Sequence, residues 1–138
     1  MTQSLPLFGC GCGRIGCYES YVSGPGLVRI VKSMTGQDVT PPQVAALRLS
    51  DPLIEAAWQV WLDITAELVV SVIMCIEPDV VILGGGLSQI QGVCAELSRA
   101  VDRAHLPGFM RPEILLAQGG DSSGGRGAAL AAWQEQTQ

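Results

Sequence analysis

The sequence predicts an α/β fold, rich in helix and with few strands. Two runs of β-branched and aliphatic residues, Asp79 to Leu83 and Glu113 to Ala117, each end near glycines and lead into a helical pattern. Strand, tight turn and helix in that order is how α/β proteins are assembled. The third observation is an apolar stretch from Asp51 to Ile76, too long for a strand and stopped by Pro78, which marks a central helix.

Taken in order, Met1 to Gly9 has no periodicity and contains Pro6, so it reads as a loop. A helix begins between Cys17 and Val22, Ser23-Gly24-Pro25-Gly26 punctuates it, and Leu27 to Met34 resumes the pattern until Gly36. Thr40 is placed to cap a short helix with Pro41 and Pro42 in its first turn, where a missing N–H costs nothing, and with Val44 to Leu47 turned inward. In the long helix Asp51, Glu55, Gln59, Asp63, Glu67 and Ser71 recur every four residues, a step that drifts only about 40° at 3.6 residues per turn. One narrow polar stripe therefore winds round an apolar rod. Trp58, Trp61, Leu62, Ile64, Leu68, Val72 and Ile73 are expected in the core. After the first strand, Gly84-Gly85-Gly86 turns, and Ser88 with Gln91 reads as a capping box for a helix carrying Val93, Cys94, Leu97 and Val101 to about Ala104. Pro107-Gly108 follows that helix. After the second strand, Gly119-Gly120-Asp121 leads into a last helix with Asp121 or Ser122 as its cap, and Gly124, Gly125, Gly127, Ala128 and Ala129 permit close packing. Cys75 and Cys94 fall in apolar helical patterns and are expected in the core.

With 138 residues the chain is the size of one domain. Hydrophobic residues make up 48% and charged ones 15%, against roughly 25% charged in an average soluble domain. Such a balance fits either an alanine- and valine-rich core or a face meant for a further lobe or a partner. A net charge of −5 without a basic run gives no reason to expect nucleic acid or an anionic membrane as a partner. The longest near-apolar run, Leu68 to Ile76, is about half of the ~20 residues a membrane span needs. Five cysteines, three of them clustered, do not resemble a secreted disulfide framework, and no charged start followed by an apolar run marks a leader. The cytoplasm is therefore the expected compartment.

The chemistry concentrates in Cys10-Gly11-Cys12-Gly13-Arg14-Ile15-Gly16-Cys17-Tyr18-Glu19. Thiolates suit Zn²⁺, which takes four tetrahedral ligands in structural sites, and the glycines let the backbone fold tightly enough for Cys10, Cys12 and Cys17 to face one point. A fourth ligand has to come from elsewhere. His105 is the one histidine, and it fits better as a surface residue near a helix C-terminus, where a cation is favoured. Gly11, Gly13 and Gly16 also spell a dinucleotide fingerprint, but no strand precedes them, so that match is discarded. At Gly84, Gly85 and Gly86 two readings stand. A glycine turn opening a helix lets backbone amides approach a nucleotide, and a tight strand-to-helix connection needs glycine as well.

The pattern Cys-x-Cys-Gly-x-x-Gly-Cys-x-Glu at 10–19, running on into Ser23-Gly24-Pro25-Gly26-Leu27, resembles the signature of the ROK family, named for repressor, open reading frame and kinase. Pro78 to Ser88 and Gly120 to Ala129 look like two further segments of that family in the expected order, so the resemblance runs from Cys10 to about Trp133. The last segment looks most like bacterial N-acetylglucosamine kinases. The resemblance implies a ribonuclease-H-like, actin-like ATPase fold, of which this chain is the C-terminal portion. It would be a single partial domain, with 1–26 a zinc-binding loop region and 27–138 the C-terminal lobe. Zinc on Cys10, Cys12 and Cys17 would be structural, and weakly held. The family's fourth ligand, a histidine ahead of the first cysteine, has no match, leaving water, a neighbouring chain or nothing to complete the set.

The same resemblance makes Glu19 the sugar-contacting residue, its two carboxylate oxygens suited to paired hydroxyls, and sets Gly84, Gly85 and Gly86 beside the adenosine of ATP. It implies that the last helix closes the nucleotide cleft and packs toward the other lobe. The family's Asp-x-Gly-Gly-Thr phosphate loop and catalytic Asn-Asp pair have no match, so no catalytic residue is expected and the chain alone is expected to be inactive. The full-length form would bind sugar, ATP and Mg and phosphorylate the 6-hydroxyl of N-acetylglucosamine or a related hexose. Homodimerisation or a missing N-terminal lobe would cover the sheet edge and apolar faces. Two rivals are a non-catalytic, sugar-sensing or dimerising body of a ROK-type repressor, and one half of a split kinase.

Overall fold

The computed structural model describes residues 5–136, apart from the side chain of Asp121. The start of the expected N-terminal loop and Asp121 as a cap therefore lie outside the described residues. The molecule is built round helix α4 (Pro52–Ile76). One Asp51 carboxylate oxygen accepts from the N–H groups of Leu53 and Ile54 at 2.9 and 3.4 Å, and the other accepts from Gln37 at 3.0 Å. Those bonds satisfy donors that the first turn would leave orphaned. At the far end Glu77 takes a left-handed conformation (φ 41°) and its N–H reaches Ile73 O at 2.9 Å, before Pro78 prevents continuation. Ile54, Trp58, Trp61, Leu62, Val69 and Ile73 bury one broad face of α4. Helix α2 (Gly24–Thr35) and helix α5 (Val93–Ala104) pack against α4.

Ile64 is half-buried and packs against this core, but two other expected core residues of α4 turn outward. Leu68 is half-buried and Val72 is exposed, as is Cys75. Leu68, Val72 and Cys75 follow each other at spacings of four and three, so they share a face. Cys94 is half-buried, and burial pushes its thiol up. By length and composition α4 could cross a bilayer. Its buried tryptophans and its Glu55, Asp63 and Glu67 instead fit the core helix of a folded domain.

Helix α1 (Glu19–Val22) meets α2 at a sharp corner. A Cβ on Gly26 would lie 2.3 Å from the Tyr21 carbonyl oxygen, so the corner requires glycine. Helix α3 (Pro41–Leu47) begins as expected at Thr40, where Gln43 Oε1 accepts from the Thr40 N–H and hydroxyl at 2.8 and 2.9 Å. Just after α3, Arg48 donates to both oxygens of Glu96 on α5, at 2.9 and 2.6 Å. Trp58 Nε1 donates to the same carboxylate at 2.8 Å, and the guanidinium lies 4.5 Å from the Trp58 ring centroid. This group ties α3, α4 and α5 together.

Strands β1 (Val80–Leu83) and β2 (Glu113–Leu116) are parallel, in register from Val80↔Glu113 to Leu83↔Leu116, with α5 in the crossover. Ile114 is buried on one face of the sheet. Val80, Ile82 and Leu115, on the other face, are exposed. The far edge of β1 carries no strand among the described residues.

The helix after β1 starts later than expected. Ser88 turns its hydroxyl back to Gly85 O at 2.7 Å, Gly86–Gln89 form a 3-10 turn, and α5 opens only after Gly92, whose φ is 83°. With Ser88 so engaged, no capping box with Gln91 forms. After β2, a second 3-10 turn (Gly120–Ser122) leads into α6 (Ser123–Gln136). The close packing expected of α6 is not realised among the described residues. No residue of it is buried, and a Cβ at Gly124, Gly125 or Gly127 would meet nothing within 4 Å.

Candidate functional site

The cysteine stretch folds as a small hairpin. Gly9 and Ile15 form an antiparallel bridge, the Cys10 N–H reaches Arg14 O at 2.8 Å, and the Gly13 N–H closes a turn on Cys10 O at 3.0 Å. Gly13 and Gly16 take φ of 82° and 73°, which side chains resist. The hairpin is fastened to α1 by Tyr21, whose hydroxyl accepts from the Phe8 N–H at 3.1 Å and donates to Pro6 O at 3.0 Å, while its ring packs on Phe8 at 4.9 Å. Ser20 Oγ adds a bond to Gly9 O at 3.3 Å.

The result brings together the three expected metal ligands. The sulfurs of Cys10, Cys12 and Cys17 all lie within 4.8 Å of one another, and those of Cys12 and Cys17 are 3.7 Å apart. A tetrahedron with metal–sulfur bonds of about 2.3 Å has sulfur–sulfur edges of about 3.8 Å, so the trio fits a thiophilic cation such as Zn²⁺. The Cys12 backbone N–H, and then its thiol, hold the Cys10 thiol below its usual range. The Cys12 thiol, and then burial, push Cys17 up to about 11. No fourth ligand joins the trio among the described residues. His105 caps the end of α5 and is half-buried, not on the surface as expected, with Nε2 enclosed and without a hydrogen bond.

Glu19 opens α1 two residues after Cys17, and its side chain is exposed.

The two glycine turns converge at the carboxyl end of the parallel strands, where open α/β sheets bind ligands. The Ala117 N–H reaches Leu83 O at 2.8 Å, and a Cβ on Gly84 would sit 3.8 Å from that of Ala117. The two 3-10 turns touch each other. Gly85 has φ 77° and ψ −175°, a combination open to glycine alone, and nothing lies within 4 Å of a Cβ built on Gly85 or Gly86. The backbone there is free to be approached. Gly119 and Gly120 belong to the same edge, which the sequence signalled only as a helix start. Beside the glycine turns, reaching the α1–α2 corner, runs an apolar groove of about 750 Å³, lined by Val22, Trp61, Leu68, Val72, Val81 and Leu83, with Gly84, Gly85 and Gly86 among its further lining residues.

The aspartates are largely engaged in structure. Asp51 caps α4, Asp38 pairs with Lys32, Asp63 with Arg103 and Asp102 with Arg111.

Residues 3–135 match the family model described as "ROK family". The chain belongs to the ROK family. It is 44% identical over 130 residues to the N-acetylgalactosamine kinase AgaK of Shewanella sp. (strain ANA-3), a match covering 93% of this chain and 42% of that one. It is 34% identical over 131 residues to the N-acetyl-D-glucosamine kinase of Salmonella typhi, covering 94% of this chain and 43% of that one. The chain thus spans less than half the length of these relatives. Among solved structures, the ROK hexokinase from Thermus thermophilus superposes with a TM-score of 0.77 and 28% identity, over 99% of this chain and 47% of that chain. A ROK family glucokinase from Streptomyces griseus, solved in complex with glucose and AMPPNP, superposes with a TM-score of 0.75 and 22% identity, over 83% of this chain and 44% of that chain. These ROK kinases have the actin-like ATPase fold, and the present chain is a helix-rich part of it carrying two strands among the described residues.

Proposed function

We propose that this chain supplies the C-terminal portion of an ATP-dependent sugar kinase that phosphorylates the 6-hydroxyl of an N-acetylhexosamine, N-acetylglucosamine or a related sugar. The observation that carries the reading is the 44% identity to an N-acetylgalactosamine kinase over 130 residues, 93% of this chain. In this reading Glu19 accepts hydrogen bonds from sugar hydroxyls, and the backbone at Gly84, Gly85 and Gly86 lies against the adenosine. Zinc, when bound to Cys10, Cys12 and Cys17, is a cross-link that fixes the direction of Glu19, and it has no part in the chemical step. The reaction belongs in the cytoplasm, with its ATP.

Phosphoryl transfer also needs a cradle for the phosphates, Mg²⁺ and a base for the attacking hydroxyl. The family's phosphate loop and catalytic base have no match within the 138 residues, and Asp38, Asp51, Asp63 and Asp102 are engaged in caps or ion pairs. The chain by itself is therefore inactive in this reading, and a complementary lobe or a second copy covers its sheet edge.

The test is ADP release from MgATP with N-acetylglucosamine, N-acetylgalactosamine, N-acetylmannosamine and glucose offered in turn. It is run on the chain alone, and on a chimera joining it to the part of the Shewanella kinase that it does not match. The expected result is background from the chain and turnover from the chimera with an N-acetylhexosamine. Sugar-dependent turnover by the chain alone would place a catalytic base within these residues and overturn the reading.

A further inference from the structure

The hairpin that suits a metal ion also suits the formation of a sulfur–sulfur bond. The sulfurs of Cys12 and Cys17 stand 3.7 Å apart and Cys12 is exposed. A disulfide brings sulfurs to about 2.05 Å, so the pair has to close by about 1.7 Å. The loop has room for that. Gly11, Gly13 and Gly16 stand around the two cysteines, and nothing lies within 4 Å of a Cβ built on Gly11 or Gly13. Cys10 is less free, because its N–H and C=O are both bound inside the hairpin, to Arg14 and Gly13. A bond between Cys10 and Cys12 would also close a ring with one intervening residue, which disulfide geometry disfavours.

We propose that Cys12 and Cys17 form a reversible disulfide under hydrogen peroxide when the loop is free of metal, so that the same thiols serve either as metal ligands or as a redox pair. The exposed Cys12 sulfur attacks one peroxide oxygen, the O–O bond breaks, and Cys12 becomes a sulfenic acid as a first water leaves. The Cys17 sulfur then attacks the Cys12 sulfur, the S–O bond breaks, and a second water leaves with the remaining thiol proton. The two sulfurs give up two electrons in all, and the peroxide is reduced to two waters. A bound cation blocks this route, because both thiolates are then shared with the metal. The proposal is independent of the kinase reading.

Arg14 lies between the two cysteines, so trypsin separates a peptide carrying Cys10 and Cys12 from one carrying Cys17. The metal-free chain is treated with peroxide, blocked with N-ethylmaleimide, digested and weighed by mass spectrometry. The two peptides are expected to remain joined until dithiothreitol is added. Cys10→Ser is expected to keep the link and Cys12→Ser to abolish it, neither position being part of the hydrophobic core. In the chain preloaded with zinc the link is expected to form at least about tenfold more slowly, with zinc appearing on a chromophoric chelator as it does. Peptides that separate without reductant, a link that survives Cys12→Ser, or equal rates with and without zinc would each overturn the proposal.

Discussion

Glu19 is exposed and lies on the first turn of a helix that the cysteine hairpin and Tyr21 hold in place. If it binds sugar hydroxyls, its charge matters more than its shape. Glu19→Gln in the chimeric kinase is expected to raise KM for the sugar about tenfold or more and leave KM for ATP within about twofold, since bonds to a charged acceptor are the stronger kind. Steady-state kinetics with each substrate varied in turn check this, and equal changes in both constants would point to a general loss of folding. The metal ligands carry a pH signature. Thiols must shed protons to bind a cation, and Cys17 is held up at about 11, so apparent zinc affinity is expected to rise steadily from pH 6 to pH 8. Competition against a chromophoric chelator measures that slope, and Cys17→Ser should weaken binding throughout. The trio was legible in the sequence because spacing and glycines alone define such a loop. Tyr21 was not, because its partners are the backbone of Pro6 and Phe8, which carry no pattern.

Among the elements, the strongest local wager lies where α3, α4 and α5 meet. Arg48 and Glu96 are largely buried, and Trp58 donates to the same carboxylate. Burial pushes the Glu96 carboxyl up, but the hydrogen bonds from Arg48 and Trp58 outweigh it and hold the carboxyl below its usual range. A carboxyl depressed in the folded state contributes stability that is fully present above its unfolded pKa, about 4.3, and is lost as pH falls through the folded value. Urea midpoints of the wild type are therefore expected to drop below about pH 4. Glu96→Gln should cost about 2 kcal/mol at neutral pH, because the buried guanidinium then keeps only the more exposed Glu55, 3.3 Å away, as its counter-charge, and should flatten the acid drop. Asp51, held low first by Gln37 and then by the Leu53 N–H, has the same sign, so the slope is reduced and not abolished. Most elements were readable from breakers and caps, notably Pro52, Pro78, Gly36 and Thr40. The start of α5 was not, because a serine hydroxyl can serve the helix ahead of it or the turn behind it, and Ser88 serves the turn.

For the whole molecule, the low charged fraction was a sound signal of apolar surface, and the surface is now located. It includes the outer sheet face at Val80, Ile82 and Leu115 and the groove beside Leu68 and Val72, with Leu49, Ile76 and Met110 exposed elsewhere. The small residues of α6 find no close neighbour among the described residues, since glycine and alanine signal a surface for close packing and not the neighbour that fills it. Stability is thus unevenly distributed. The interior is the α2, α4 and α5 cluster, whereas no described residue of α6 is buried and the helix holds Gly124, Gly125 and Gly127, each about 1 kcal/mol worse than alanine in a helix. A helix of 14 residues with none of its described residues buried is marginal in water. Native-state hydrogen exchange on the isolated chain is therefore expected to show amides of α6 exchanging orders of magnitude faster than those between Trp58 and Val69 in α4. Replacing Gly124 and Gly127 with alanine should slow exchange within α6 and leave the global urea midpoint unchanged. Equal protection in α6 and α4 would mean that the last helix unfolds together with the core, and the separation of the two argued here would not stand.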